Sequence, residues 1–135
     1  MRHAIAALAF AIALPAAAET PLSAEEFGAF TEGKTLNFYR DGVLFGAEQY
    51  RSNKRVRWSF IAGQEQQDCM EGVWYEQEGD ICFSYEDGLV DQCWAFFRDG
   101  DGLRATFRNT VPNVTGYTAQ ETTEPLLCLG PNVGV

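Results

Sequence analysis

Histidine is almost missing from this 135-residue chain; the single copy is His3. Residues 1–18 read as an export signal. Arg2 and His3 form its charged start, Ala4 to Leu14 is an unbroken apolar run, Pro15 breaks it, and Ala16-Ala17-Ala18 supplies the small residues of a cleavage site. Cleavage is expected between Ala18 and Glu19, which removes the histidine. A mature chain without imidazole is shut out of Ser-His-Asp and Cys-His nucleophilic catalysis and of histidine acid–base work near neutral pH. It also lacks the commonest ligand for zinc, copper and haem. The four cysteines, Cys69, Cys82, Cys93 and Cys128, include no C-x-x-C spacing, which removes the usual zinc pattern. No glycine loop of the phosphate-cradling kind occurs, and the apolar run of the signal is too short to span a bilayer. No cofactor, no metal and no membrane span are expected.

Basic residues are the next shortage. Removing Arg2 with the signal leaves nine Lys and Arg against nineteen Asp and Glu, a net charge of about −10. That balance opposes binding to nucleic acid or to anionic membrane surfaces. Between Trp58 and Phe97 there is no Lys or Arg, while nine acids occur: Glu65, Asp68, Glu71, Glu76, Glu78, Asp80, Glu86, Asp87 and Asp91. A basic cluster of Arg51, Lys54, Arg55 and Arg57 lies just before them. One face or end of the domain is expected to be strongly negative. It either keeps an exported protein soluble or attracts cations and basic partners.

What the chain has in plenty is aromatic and polar alternation, densest from Cys69 to Phe97. This stretch predicts a three-stranded antiparallel meander. An even cysteine count behind a signal peptide implies disulfides formed in an oxidising compartment, the periplasm or outside the cell. A turn centred on Asp87-Gly88 sets Cys82 opposite Cys93, where opposed Cβ atoms lie about 4.5–5.5 Å apart, near bridging range. Cys69 falls about five residues further along its strand, too far to reach either, at about 3.3 Å per residue. It is left for Cys128. A first turn centred near Glu78 puts Trp74 across from Cys82. In that register Val73, Tyr75, Ile81, Phe83, Tyr85, Val90, Trp94 and Phe96 share the core face. Trp74, Glu76, Asp80, Ser84, Glu86, Asp91 and the cysteine pair share the outer one. Trp74 and Phe97 then sit on a mostly polar face, covering the disulfide, packed under a loop, or exposed for recognition.

Before the meander, Pro21 to Gly33 reads as a short helix. Ser23 and Glu26 form a capping box, and Leu22, Phe27 and Phe30 form an apolar stripe that could plug one end of the sheet. Lys34–Tyr39, Val43–Arg51 (weakened or bulged at Gly46), Arg55–Ile61, Leu103–Asn109 and Tyr117–Glu121 read as further strands. Val56, Trp58 and Phe60 share one face of the third, and Leu103, Ala105 and Phe107 point inward from the seventh. Strands at this spacing, with Gly-rich turns, predict an all-β domain over residues 19–135. It is a small antiparallel meander, barrel-like or a strongly curved sheet, with one short N-terminal helix.

Candidate chemistry is thin. Asp99-Gly100-Asp101-Gly102 resembles part of a calcium loop but lacks the further ligands, so a hairpin turn is expected. The acid pairs Glu76/Glu78 and Glu86/Asp87 fall in turns, where carboxylates stay solvated. Ser59 and Ser84 lack a G-x-S-x-G setting. The segments GKTLNFYRDG (33–42), GAEQY (46–50), VRWSF (56–60), CMEGVWY (69–75), ICFSYE (81–86) and CWAFF (93–97) resemble the layout of short exported alphaproteobacterial proteins of unknown function. The chain is also similar in size, export and β character to small disulfide-bonded periplasmic lysozyme inhibitors, without an inhibitory motif of theirs. The resemblance implies no activity. The expectation is a non-enzymatic, exported binding module for a small molecule or an envelope component, with Trp58, Trp74, Tyr75, Trp94 and Phe97 as candidate contacts. The alternative is a proteinaceous inhibitor of a basic enzyme such as lysozyme.

Overall fold

A computed structural model describes residues 18–60 and 69–128. The export segment expected over residues 1–18 lies outside these except for Ala18, as do Ile61 and residues 129–135 of the tail. The described elements are α1 (Ala24–Thr31), β1 (Thr35–Arg40), β2 (Val43–Tyr50), β3 (Arg55–Phe60), β4 (Met70–Gln77), β5 (Asp80–Tyr85), β6 (Gln92–Asp99), β7 (Gly102–Phe107) and β8 (Val114–Thr122). Each strand pairs antiparallel with the next, and β8 returns to β1, closing an eight-stranded barrel. Closure leaves no unpaired sheet edge.

Turn chemistry fixes the registers. Asp41-Gly42 and Glu78-Gly79 have φ of 50° and 81°, and 52° and 85°. Two consecutive positive-φ residues make the type I′ turn, whose twist matches paired strands. The second of these turns corrects the expected faces. It joins Gln77 to Asp80, so Trp74 pairs with Phe83 and Tyr75 with Cys82, one residue away from the expected register. A slip of one residue exchanges the faces of a strand. Trp74 therefore points into the barrel, 6% exposed, while Val73 on the opposite face is 45% exposed. Tyr75, not Trp74, shares the outer row with the Cys82–Cys93 bridge, and its hydroxyl bonds Asp91 at 2.7 Å. Val90 is exposed because β6 begins only at Gln92, making residues 86–91 a loop. The remaining inward assignments on β5 and β6 hold, since Ile81 pairs with Trp94 and Phe83 with Gln92.

Both disulfides connect as the spacing argued, Cys82–Cys93 and Cys69–Cys128. Cys69 and Cys128 hold the tail against the barrel, where Ser59 donates to the Leu127 carbonyl at 2.7 Å. The β-bulge expected near Gly46 falls at Phe45, where the pairing jumps from Phe38–Gly46 to Tyr39–Leu44. Asp99 and Gly102 flank a two-residue turn, as expected of that acidic segment. Ser23 and Glu26 bond each other's backbone as a capping box, starting α1. The helix then lays Phe27, wholly buried, into one end of the barrel. Phe27 meets Tyr50, Trp74, Phe83 and Phe96 at ring-centroid distances of 4.6 to 6.3 Å, mostly edge to face. Among the described residues no helix is long and apolar enough to cross a membrane.

Candidate functional site

The barrel interior is filled at the α1 end and hollow toward the other. Alternation along β2 turns Gly46, Glu48 and Tyr50 inward, and the register sets Glu48 beside Trp58 on β3 and Leu36 on β1. From the other side β4 contributes Met70, β5 Phe83 and Tyr85, and β6 Gln92, Trp94 and Phe96. With Phe38, Phe45, Trp58 and Phe60 these residues line a cavity of about 130 Å³. The lining is dominated by aromatic rings. Phe45 packs on Trp58 at 5.5 Å and on Tyr117 at 5.8 Å, and Trp94 meets Tyr117 edge-on at 4.8 Å.

Two inward glycines let the large rings lie flat against the wall. A Cβ at Gly46 would sit 2.0 Å from Trp58 Cζ2. One at Gly72 would sit 2.6 Å from the Ser84 carbonyl oxygen and 2.7 Å from Tyr85 Cδ1. Any side chain at either position would push an aromatic ring or the backbone into the space now left hollow.

Glu48 lies in this apolar surround, 1% exposed. The Tyr85 hydroxyl is 3.0 and 2.9 Å from its two carboxyl oxygens. Burial raises the Glu48 pKa to about 8, opposed in part by the Tyr85 hydrogen bond. The carboxyl is thus largely protonated at neutral pH, since a charge in an apolar interior costs more than the proton does. Burial first, and then the neighbouring Glu48, push the Tyr50 and Tyr85 phenols well above their ordinary range. The Tyr50 hydroxyl, also on the cavity wall, has no hydrogen-bond partner. Buried polar atoms are normally satisfied, so an orphaned hydroxyl beside a protonatable carboxyl marks a place where a polar group would be stabilised.

The expected contact residues separate. Trp58 and Trp94 line the cavity together. Trp74 belongs to the packed end, with Lys54 Nζ 4.9 Å from its ring centre on the other side. Tyr75 and Phe97 are on the outside of the barrel, the latter under the Arg104 guanidinium at 4.7 Å. Glu48, Tyr50, Tyr85 and Gln92 are polar members of the site that the expected contacts did not include. The usable signal was the spacing Gly46-x-Glu48-x-Tyr50, which puts an acid in phase with an aromatic on one strand face.

The basic cluster has structural employment. Arg51 and Arg57 both ion-pair with Glu71 on the outer surface. Partial burial pushes the Glu71 carboxyl up, but Arg57 and Arg51 together outweigh it and leave it below the usual range. The acidic turns are used likewise: Glu76 accepts from the Gly79 amide at 2.6 Å and Asp87 from the Leu89 amide at 3.0 Å. Compared with models of protein families, with curated proteins and with solved structures, the chain matches none.

Proposed function

We propose that this is an exported, periplasmic or secreted binding module that holds one compact, largely apolar molecule inside its barrel and does not transform it. The observation that carries this reading is the cavity of about 130 Å³, walled by aromatic rings, with one carboxyl and one unpartnered hydroxyl at its wall. The volume of about 130 Å³ is close to the roughly 150 Å³ of an apolar cavity that takes up benzene, so the expected ligand is about one ring in size. Ligand sites in small barrels have this composition, mostly apolar with a few polar groups that orient the guest. Retention without reaction is supported by the lining, which supplies a single carboxyl, Glu48, where carboxylate-pair hydrolysis needs two. The two disulfides are typical of proteins outside the cytoplasm, in keeping with export.

The test is a thermal-shift and tryptophan-fluorescence screen of the oxidised protein with single-ring and short-chain compounds of each charge type. A ligand at 100 times its Kd stabilises the fold by about 2.7 kcal/mol, raising Tm by about 10 °C or more for a chain of this length. Emission from Trp58 and Trp94 is expected to move in parallel. A screen in which neither signal changes for any compound would remove the reading.

A further inference from the structure

The identity of the polar groups narrows the ligand class, on the premise that the cavity is the binding site. We propose that the guest is a small organic cation, a primary amine carried on a single aromatic or similarly sized apolar group. Its ammonium would sit between Glu48 and the Tyr50 hydroxyl, and its apolar part among Phe45, Trp58 and Trp94.

Four features of the cavity converge on this class. Glu48 is enclosed with no cation among the lining residues, so its negative form lacks a partner that an ammonium would supply. Its hydrogen-bonding neighbour is a phenol, Tyr85, which can accept a proton bond as well as donate one. The Tyr50 hydroxyl is buried and unused, and an ammonium carries three donors to share among these oxygens. Finally, Trp58 lies directly across from Glu48 in the β2–β3 register, and Phe45 and Trp94 complete a set of π faces that attract a desolvated cation. The net charge of about −10 on the mature chain draws cations toward the barrel and repels anions.

Binding carries a proton balance. Below its raised pKa, Glu48 enters the encounter as the neutral acid; pairing with an ammonium favours the carboxylate, and the displaced proton passes to solvent. The groups facing Glu48 are Tyr50 from its own strand and Tyr85 from β5, with the uncharged Leu36 and Phe38 of β1, Trp58 of β3 and Met70 of β4. Asp87 acts on Tyr85 and helps to keep that phenol protonated. None of these phenols ionises below pH 8, so the released proton comes from Glu48.

The experiment is isothermal titration of the oxidised protein with benzylamine, benzyl alcohol and benzoate, which share a ring and differ in charge. At pH 7 in two buffers of different ionisation enthalpy, benzylamine is expected to bind at least tenfold more tightly than benzyl alcohol, with benzoate weakest. Its apparent enthalpy is expected to vary with buffer in the sense of proton release. Glu48→Gln keeps a bond to Tyr85 and is expected to erase both the preference and the proton release. Should that variant fail to fold, Tyr50→Phe and the buffer dependence of the native protein put the same question. Benzyl alcohol binding as well as benzylamine, or a preference that survives in Glu48→Gln, overturns the amine assignment and leaves the cavity reading standing. If none of the three compounds binds, both readings fall.

Discussion

The two halves of the barrel interior face the same problem and solve it in opposite ways. At the α1 end a single helix residue, Phe27, inserts among Tyr50, Trp74, Phe83 and Phe96, ring against ring. At the other end the bulge at Phe45 and the inward glycines Gly46 and Gly72 spread the rings back against the wall, and a carboxyl is buried in the space between. The first half is packed for stability. The second gives up packing and desolvates an acid, a pattern found where a protein reserves room for something else. The β5–β6 seam has three paired positions and is crossed by Cys82–Cys93, while Cys69, just before Met70, ties down the tail at the hollow end.

Reducing both disulfides should have the largest effect, about 2–5 kcal/mol of stability per bridge. Melting with and without dithiothreitol measures it. Hydrogen exchange should show the short β5–β6 seam opening before the longer β1–β2 pairing; uniform loosening would mean that Cys82–Cys93 does not brace that seam in particular. Next comes Phe27→Ala, expected to cost about 3–5 kcal/mol in urea denaturation, the range for deleting a fully buried phenylalanine. Phe45→Ala, at a half-buried position beside existing empty space, should cost clearly less. Equal costs would erase the contrast between the two ends.

The third effect is a dependence on pH. Glu48 holds its proton more tightly in the fold than in the unfolded chain, because its pKa rises to about 8 on burial. Its contribution is therefore complete below the unfolded value of about 4.3 and is lost as pH climbs through the folded one, by at most about 1.4 kcal/mol per pH unit. Glu48→Gln should flatten that decline, as followed by denaturation at pH 5, 6, 7 and 8. Glu71 and Asp91, whose pKa values are lowered by Arg57 with Arg51 and by the Tyr75 hydroxyl respectively, act in the opposite sense. Their contribution is lost as the solution is acidified below about pH 4, so the variant should still unfold in acid. The smallest effect expected is Gly46→Ala, about 1–3 kcal/mol from overpacking. Its sharper readout is fluorescence: the new methyl drives Trp58 from the wall into the cavity, shifting its emission and blocking any ligand.

Much of the barrel could be read in the residues. Alternation in β3 and β7, the Asp41-Gly42 turn, the Ser23–Glu26 capping box and the Cys82–Cys93 pairing all rest on local chemistry or on short-range spacing, and Cys69–Cys128 follows by elimination. The errors came where one residue decides a face. Whether the β4–β5 turn holds two residues or three is not written in Glu76-Gln77-Glu78-Gly79-Asp80, yet it moved Trp74 from the outer surface to the core. Glu48 is hidden in the sequence for a related reason. An acid in a strand ordinarily faces water, and nothing local contradicts that for GAEQY.

The sequence by itself determined an all-β chain, its oxidised staples and the confinement of imidazole to His3, since composition and near neighbours suffice for these. Only the tertiary structure decided that the sheet closes on itself, that α1 fills one end, and that Glu48, Tyr50, Tyr85, Trp58 and Trp94 come to surround one space. Those residues span five strands' worth of chain, and what brings them together is barrel closure, a sum of registers in which each turn contributes a shift that no single segment contains.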